Sequence, residues 1–325
     1  MGIRSRVAAW LGDRAVQDVR SSQDESPARR LRALVVIHNP RIKASNNQKL
    51  TAVLGWNDPD TLAAGYTDDL REASGGLADY EIVERIELDA WPCKADGFRY
   101  DDVTYMQAWR QRAGFHMPDA IDYHVLLRQF AIPERVEAGA IDEVWFFGPP
   151  YAGYWESTMA GRGAFWCNSP PVAQTEQCRR RFVMMGFNYE RGVDCMLENF
   201  GHRTESIMSA VYQSHSGARN QWAHFCRYDL SAPGRASCGN VHFAPSSQSD
   251  YDWGNPRVVA SDCDDWFNYP HLTGARRQAQ CREWGSGDMR LHHLWWLRHL
   301  PRAGGTLDSV LNNWWRYVLD PNLVG

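Results

Sequence analysis

Four strand-like runs in the first two thirds of the chain each end at a cluster of polar residues or turn formers. The runs and the residues that follow them are 33–37 with His38-Asn39-Pro40, 80–88 with Asp89, 141–147 with Gly148-Pro149-Pro150, and 181–187 with Asn188-Tyr189-Glu190. Helical patterns separate the first three runs and another follows the fourth, and this order predicts an α/β fold with a mostly parallel sheet. Because ligands bind at the carboxyl ends of the strands in such sheets, the pattern indicates where a site should lie.

The composition of the chain argues against nucleic-acid and membrane partners. The formal net charge of the 325 residues is -4 and the basic residues are dispersed, so no positive surplus exists to neutralise phosphates. No apolar run is long enough to span a bilayer, and residues 1–32 lack the apolar core of a secretory signal. The eight cysteines contain no C-x-x-C pair. We therefore expect a cytoplasmic protein with reduced cysteines.

Changes in pattern along the chain predict three parts. Residues 1–32 contain a short amphipathic helix and a polar linker, and residues 33–212 contain the sheet. Residues 213–325 are irregular and rich in tryptophan until two helices close the chain, the second over about 306–319. We expect this extension to cover the strand-end crevice. Trp314 and Trp315 fall in the apolar stripe of the last helix, so we expect both to be buried.

The strand order of residues 33–212 and its strand-end polar loops resemble flavodoxin-like and class I amidotransferase-like domains. The resemblance implies a flavodoxin-like or amidotransferase-like sheet and covers these residues at most. An amidotransferase carries its nucleophile on a turn after a strand, as a cysteine between glycines, and this chain has no such turn. The resemblance therefore implies an architecture, and no residue or activity is carried over from it.

The sharpest candidate site is the pattern Glu198-xxx-His202-xx-Glu205. The three side chains lie one turn apart on a single face of a predicted helix over about 190–212. A carboxylate and an imidazole in that arrangement can share a divalent metal ion, and His38 at a strand end is the fourth candidate ligand. The alternative is a solvated helix face that carries a weak Glu–His pair.

Two strand-end segments supply candidates for acid–base chemistry and for substrate contacts. His38 follows the first strand, and Glu156 stands beside aromatic residues after the third, where its pKa could be raised. We expect Glu156, His38 and Glu205 to be the catalytic groups. Substrate contacts are expected from Tyr154, Trp155, Asn188, Trp253 and Trp266.

Other classes of site find little support in the sequence. Neither G-x-G-x-x-G nor G-x-x-x-x-G-K-[ST] follows a strand, so we expect no nucleotide cofactor. The acidic and aromatic segment 250–265 does not fit the EF-hand register. Its tryptophans could instead stack on sugar rings.

These patterns support three hypotheses of function. The first is a hydrolase of a polar small molecule, a glycan or a peptide-like substrate, with a divalent metal ion held by His38, Glu198, His202 and Glu205. The second is a non-catalytic carbohydrate-binding protein that uses tryptophan stacking. The third is a metal-free enzyme that uses Glu156 with Glu198 or Glu205. The first predicts that all five His and Glu side chains meet in one cavity roofed by residues 240–270. The oligomeric state stays open.

Overall fold

A computed structural model describes residues 30–325, so the helix expected near the N-terminus lies outside the described residues. The fold is mixed α/β around a five-stranded sheet, and the predicted parallel sheet is confirmed. The strands follow the spatial order β4-β1-β5-β7-β6, of which the first four run parallel and β6 runs antiparallel to β7. The sheet strands are β1 Leu31–His38, β4 Tyr80–Leu88, β5 Glu143–Gly148, β6 Ser157–Ala160 and β7 Phe182–Asn188.

Short hairpins and nine α-helices complete the described part of the chain. The remaining strands form two-stranded pairs: β2 Arg41–Ile42 with β3 Gln48–Lys49, β8 Val259–Ser261 with β9 Arg277–Ala279, and β10 Arg302–Leu307 with β11 Val310–Asn313. The helices are α1 Leu50–Leu54, α2 Pro59–Ser74, α3 Asp102–Gln111, α4 Tyr123–Gln129, α5 Ile132–Glu137, α6 Val193–Val211, α7 Gln221–Phe225, α8 Met289–Arg298 and α9 Trp314–Leu319. Short 3-10 turns occur at Lys43–Ser45, Gly217–Arg219, Cys263–Asn268, Cys281–Trp284 and Pro321–Leu323.

The sheet is buried on both faces because β1 is almost continuously apolar. Ala33, Val35 and Ile37 point into the larger core, which α2, α6 and the C-terminal helices cover. Leu34 and Val36 point into the smaller core beneath α4 and α5. Alternation of side chains along a strand thus divides one apolar run between two helix layers, as parallel sheets require.

The C-terminal segment differs from its prediction in one respect. Trp314 and Trp315 are fully buried, as predicted, but the helix begins only at Trp314. The residues before it form the β10–β11 hairpin, whose turn places Asp308 and Ser309 at φ 49° and 68°. Two successive positive φ angles are characteristic of a type I′ hairpin turn, which a helical apolar spacing does not reveal.

Tryptophan N–H groups hold the irregular segment that follows residue 236. Trp296 of α8 donates to the carbonyl of Gly239, and Trp253 donates to the carbonyl of Val241. Trp284 donates in turn to the carbonyl of Trp253. A buried loop outside a helix or sheet must satisfy its backbone in this way, so these indoles both fill the core and fix the loop.

Two further observations bear on the setting of the protein. None of the helices in residues 30–325 is both long and apolar enough to cross a membrane. All eight cysteines fall in this range, and each is a free thiol.

Candidate functional site

The polar face of α6 is covered by the segment around Val241, which places the predicted helix pattern at an interface. Glu198 is only 8% exposed, and its neighbour on the helix, Gly201, lies against Val241. A Cβ atom at position 201 would lie 2.5 Å from Cγ2 of Val241. Glycine at this position therefore lets the covering segment approach the helix backbone.

The covering segment is shaped so that His242 reaches the helix. Gly239 has φ 75°, and a Cβ atom there would lie 2.0 Å from the carbonyl oxygen of Phe243. The side chain of Asn240 then accepts hydrogen bonds from the backbone N–H groups of His242 and Phe243, at 3.0 and 2.9 Å. This Asx turn directs the His242 imidazole toward α6.

Glu198, His202 and His242 present one ligand atom each within 4.8 Å of one another. The two Nε2 atoms of His202 and His242 are 3.1 Å apart, and Nε2 of His242 is 3.4 Å from Oε1 of Glu198. Two donor atoms on a tetrahedral zinc ion with bonds of about 2.0–2.1 Å lie about 3.3 Å apart. The separations therefore match those of a shared metal ion, and the described residues form a candidate metal centre.

Each histidine of this group is oriented by a carboxylate on its other ring nitrogen. Nδ1 of His202 lies 2.8 Å from Oε2 of Glu205, and Nδ1 of His242 lies 2.9 Å from Oδ1 of Asp250. With both Nδ1 protons donated to these carboxylates, both Nε2 lone pairs face each other and the Glu198 carboxylate. Three converging acceptors repel one another unless a cation lies between them, and carboxylate-oriented histidines are typical of metal centres.

The electrostatic environment of the group favours positive charge. Burial opposes ionisation of Glu198, but hydrogen bonds from Tyr251 and from the protonated form of His242 outweigh burial and lower the pKa of this carboxyl. Burial also opposes protonation of His202, yet its hydrogen bond to Glu205 and the surrounding carboxylates raise the pKa of the imidazole. A site that attracts a proton in this way attracts a divalent cation for the same reason, and binding of the metal displaces the proton.

A cavity of about 550 Å³ opens beside the group at the carboxyl ends of β5 and β7. Glu198 and Tyr251 line it together with Glu156, whose carboxylate accepts a 2.5 Å hydrogen bond from Nδ2 of Asn168. Tyr251 adopts φ 58°, a strained conformation for an aromatic residue, and its hydroxyl hydrogen-bonds Glu198. The cavity thus brings one of the three candidate metal ligands, Glu198, together with the Glu156 carboxylate and a phenol.

The structure brings together some of the predicted site residues and separates others. Tyr154, Asn188 and Trp253 line the cavity with Glu156 and Glu198. Trp266 does not, because it is 1% exposed in the core, where its indole N–H donates to Oγ of Ser237. Trp155 is 48% exposed but is not among the residues that line this cavity. Of residues 240–270, which were predicted to roof the cavity, Tyr251 and Trp253 line it.

Glu205 has a different position from the predicted one. It is not one of the three converging ligands, since its Oε2 engages Nδ1 of His202 and its Oε1 accepts a hydrogen bond from the backbone N–H of Val241. The spacing Glu198-xxx-His202-xx-Glu205 correctly places three side chains on one face. It does not distinguish a ligand from the group that orients a ligand.

His38 lies away from the metal group and does not line the cavity. Its imidazole is buried beneath Tyr154, whose hydroxyl lies 2.6 Å from Nδ1. Burial, with a smaller contribution from the charge of Arg99, lowers the pKa of His38 to about 4. The neutral ring hydrogen-bonds the Tyr154 hydroxyl and holds this cavity-lining residue. The structure thus does not place His38 with Glu198 and His202, the residues with which it was predicted to bind a metal ion.

The buried neutral state of His38 predicts acid sensitivity. In the unfolded chain the imidazole takes up a proton below about pH 6.5, whereas in the native protein it does so only near pH 4. The unfolded state binds more protons in this window, so stability falls as pH falls. Between pH 6.5 and 4 we expect the wild type to lose about 3 kcal/mol more unfolding free energy than His38→Asn. Urea unfolding at several pH values measures this, and parallel curves for the two proteins would contradict it.

His242 was not anticipated as a site residue, and Asp250 and Tyr251 were noted only as part of an acidic and aromatic segment. His242 lies in an irregular segment without periodicity, 40 residues along the chain from His202, which it contacts. The only available signal for His242 was that a histidine stands within the segment expected to cover the site.

A second group, formed by Cys263, Asp264 and His299, also offers three ligand atoms in proximity. Arg277 already forms two hydrogen bonds with the carboxylate of Asp264, at 2.5 and 2.6 Å. A guanidinium neutralises this carboxylate, so the second group is less suited to a cation.

The chain matches no protein family model, and no curated protein or solved structure matches it. Its function is therefore inferred from the geometry of the site.

Proposed function

We propose that this protein is a zinc-dependent hydrolase of an amide bond in a peptide-like substrate. The observation that carries the proposal is the convergence of Glu198 and the Nε2 atoms of His202 and His242, each histidine being oriented by its own carboxylate. Two histidines and one glutamate form a ligand set that catalytic zinc sites use, with the fourth position left for water or substrate.

The choice of zinc follows from the donor atoms. Imidazole nitrogens suit zinc better than magnesium or calcium, which prefer sites composed of oxygen ligands. A zinc ion held here would polarise a carbonyl group and lower the pKa of a bound water.

The surrounding residues supply the remaining roles in hydrolysis. Glu156 takes a proton from the attacking water, whose oxygen forms a bond to the carbonyl carbon. As the C–N bond breaks, Glu156 returns that proton to the leaving nitrogen, so one water is added across the amide. The hydroxyl of Tyr251 donates to Glu198 in the structure. Once Glu198 binds the metal ion, this hydroxyl would turn to donate to the oxygen that gains negative charge. Asn168 holds Glu156 through the hydrogen bond to its carboxylate.

Metal analysis combined with an activity assay tests this function. We expect about one zinc per chain by mass spectrometry, and hydrolysis of unfolded casein that a chelator abolishes and added zinc restores. A purified protein that binds no divalent ion under these conditions would refute the proposal. Metal-independent hydrolysis would favour a metal-free enzyme using Glu156 with Glu198.

Glu156→Gln separates the catalytic chemistry from metal binding. The amide side chain can still accept the Asn168 hydrogen bond but cannot take up a proton. We expect kcat to fall by about 100-fold or more while the zinc content is unchanged. Glu176→Gln, at an exposed position on the connection between β6 and β7, is the control and should retain activity. Equal activity of Glu156→Gln and wild type would exclude Glu156 as the proton-transfer group.

The proposal also includes a flavodoxin-like strand arrangement and a cytoplasmic location. If the four parallel strands are numbered 1 to 4 in chain order, their order across the sheet is 2-1-3-4. This order agrees with a flavodoxin-like arrangement. Free thiols at all eight cysteines suit a reducing compartment, which supports a cytoplasmic location.

A further inference from the structure

A second cavity lies on the other side of the candidate metal group. It measures about 490 Å³, and His202 and Glu205 form one of its walls. The first cavity is bordered by Glu198 and Glu156, and the Asn168 side chain that holds Glu156 lines the second cavity. The candidate metal group and the proposed proton-transfer carboxylate therefore lie between the two cavities.

The outer wall of the second cavity carries an exposed aromatic side chain on an anchored backbone. Trp166 is 59% exposed, although its neighbour Cys167 is fully buried and accepts a hydrogen bond from Oγ of Ser157 at its carbonyl. Next along the chain, the Asn168 backbone N–H donates to Oγ of Ser206 on α6. A large aromatic ring that is exposed on a fixed backbone is a ready contact for a ligand.

Apart from Phe165 and Ala210, the remaining lining of this cavity is polar and carries no free charge. Ser209 of α6, Gln213 just beyond that helix and the side chain of Asn168 offer hydroxyl and amide groups. The one acidic group, Glu205, is already engaged by His202 and by the backbone of Val241. Uncharged hydrogen-bonding groups beside an aromatic wall suit a main chain of amides that carries an apolar side chain.

We propose that the two cavities are the two halves of one peptide-binding cleft, in which Trp166 binds the residues on the leaving-group side of the scissile bond. This inference rests on the proposed function. Each cavity alone has a volume in the range of about 300–1,000 Å³ that is typical of a site for one small ligand. The combined volume of the two therefore exceeds what a single small molecule fills. A peptide fits the chemistry better than a glycan, because zinc polarises a carbonyl, whereas glycosidic bonds are cleaved by paired carboxylates.

Hydrolysis in this cleft places the two products in separate cavities. Water adds its oxygen to the carbonyl carbon, the C–N bond breaks, and the nitrogen gains a proton. The new carboxylate remains with the segment in the first cavity. The new amine leaves with the segment that contacts Trp166.

The test compares a long and a short substrate. The cleavage site in unfolded β-casein is mapped by mass spectrometry, and two peptides are then prepared. One is a decapeptide that spans the site, and the other ends at the site in a carboxamide, so that its leaving group is ammonia. We expect Trp166→Ala to lower kcat/KM for the decapeptide by roughly tenfold or more and to leave that for the carboxamide within about twofold.

Three further measurements make the result decisive. Trp166→Phe should recover part of the kcat/KM that Trp166→Ala loses, because the phenyl ring retains a flat apolar face. Phe267→Ala removes an exposed aromatic residue that lines neither cavity, and it should leave kcat/KM for both substrates unchanged. The zinc content of every variant should equal that of the wild type.

Several outcomes would overturn the inference while leaving the zinc hydrolase in place. These are an equal loss on both substrates, no loss on either, or a zinc-containing wild type that cleaves chito-oligosaccharides or other non-peptide amides but not casein. Absence of zinc from the wild type would instead refute the proposed function itself.

Discussion

Under the proposed function, His242→Ala should abolish zinc binding and hydrolytic activity. His242 supplies one of three converging donor atoms, and its loss leaves Glu198 and His202 as a two-ligand site. Substitution of an outer partner of a metal ligand typically weakens affinity by about 10–100-fold, so removal of the ligand itself should weaken it by more than about 100-fold. Zinc competition with a chromophoric chelator measures the affinity, and kcat/KM on casein peptides measures the activity.

Two further variants serve as comparisons for His242→Ala. Glu205→Gln changes only the group that orients His202, so we expect an intermediate loss of affinity of about 10–100-fold. His215→Ala removes a partly exposed histidine just beyond α6 and should retain zinc and activity. Because His242 is partly exposed in an irregular segment, the fold should survive its removal. Undiminished zinc binding by a folded His242→Ala would rule out the three-ligand centre.

Arg203→Met should cost about 3–5 kcal/mol of unfolding free energy, the largest stability effect we expect from a single substitution outside the apolar core. Arg203 and Glu143 form an ion pair of 2.8 Å in which both side chains are buried. The guanidinium also donates to the carbonyl of Val318, and Glu143 accepts hydrogen bonds from Tyr80 and Trp145. The pair thus joins α6, the sheet and the C-terminal helix. Loss of Arg203 leaves a buried carboxylate without its counter-charge.

Denaturant unfolding of three variants distinguishes the charge effect from simple loss of packing. Adding Glu143→Gln to Arg203→Met removes the orphaned charge and keeps an acceptor for Tyr80 and Trp145, so the double variant should be more stable than the single one. Arg179→Met breaks an exposed pair with Glu137 and should change stability by less than about 1 kcal/mol. A double variant less stable than Arg203→Met would show that lost packing dominates.

Much of the sheet could be predicted because its signals are local. The run from Leu31 to His38 is apolar, is bounded by polar residues, and leads to helix-length patterns that return the chain to a parallel neighbour. Asp58 before Pro59 correctly marks the start of α2, where the Asp58 side chain accepts from the backbone N–H of Thr61. In contrast, the β10–β11 hairpin was wrongly predicted as part of a helix, since its turn depends on Asp308 and Ser309 adopting positive φ.

The candidate site could be predicted only where one helix carries it. The spacing of Glu198 and His202 places both on one face of α6 from the sequence alone, because the helical period is a local property. The placement of Glu156 at a strand end follows from the order of strands and helices. Whether these groups meet, and what covers them, depends on contacts between distant parts of the chain.

Local sequence therefore determined the four parallel strands, the main helices and the face of α6 that carries the candidate ligands. Only the tertiary structure decided that β6 joins the sheet, that His242 completes the candidate metal group, that Glu205 orients His202, and that His38 contacts Tyr154. The physical reason is that the segment carrying His242 has no periodicity of its own. Its course is set by glycine-permitted approach to α6 and by hydrogen bonds from distant indole groups.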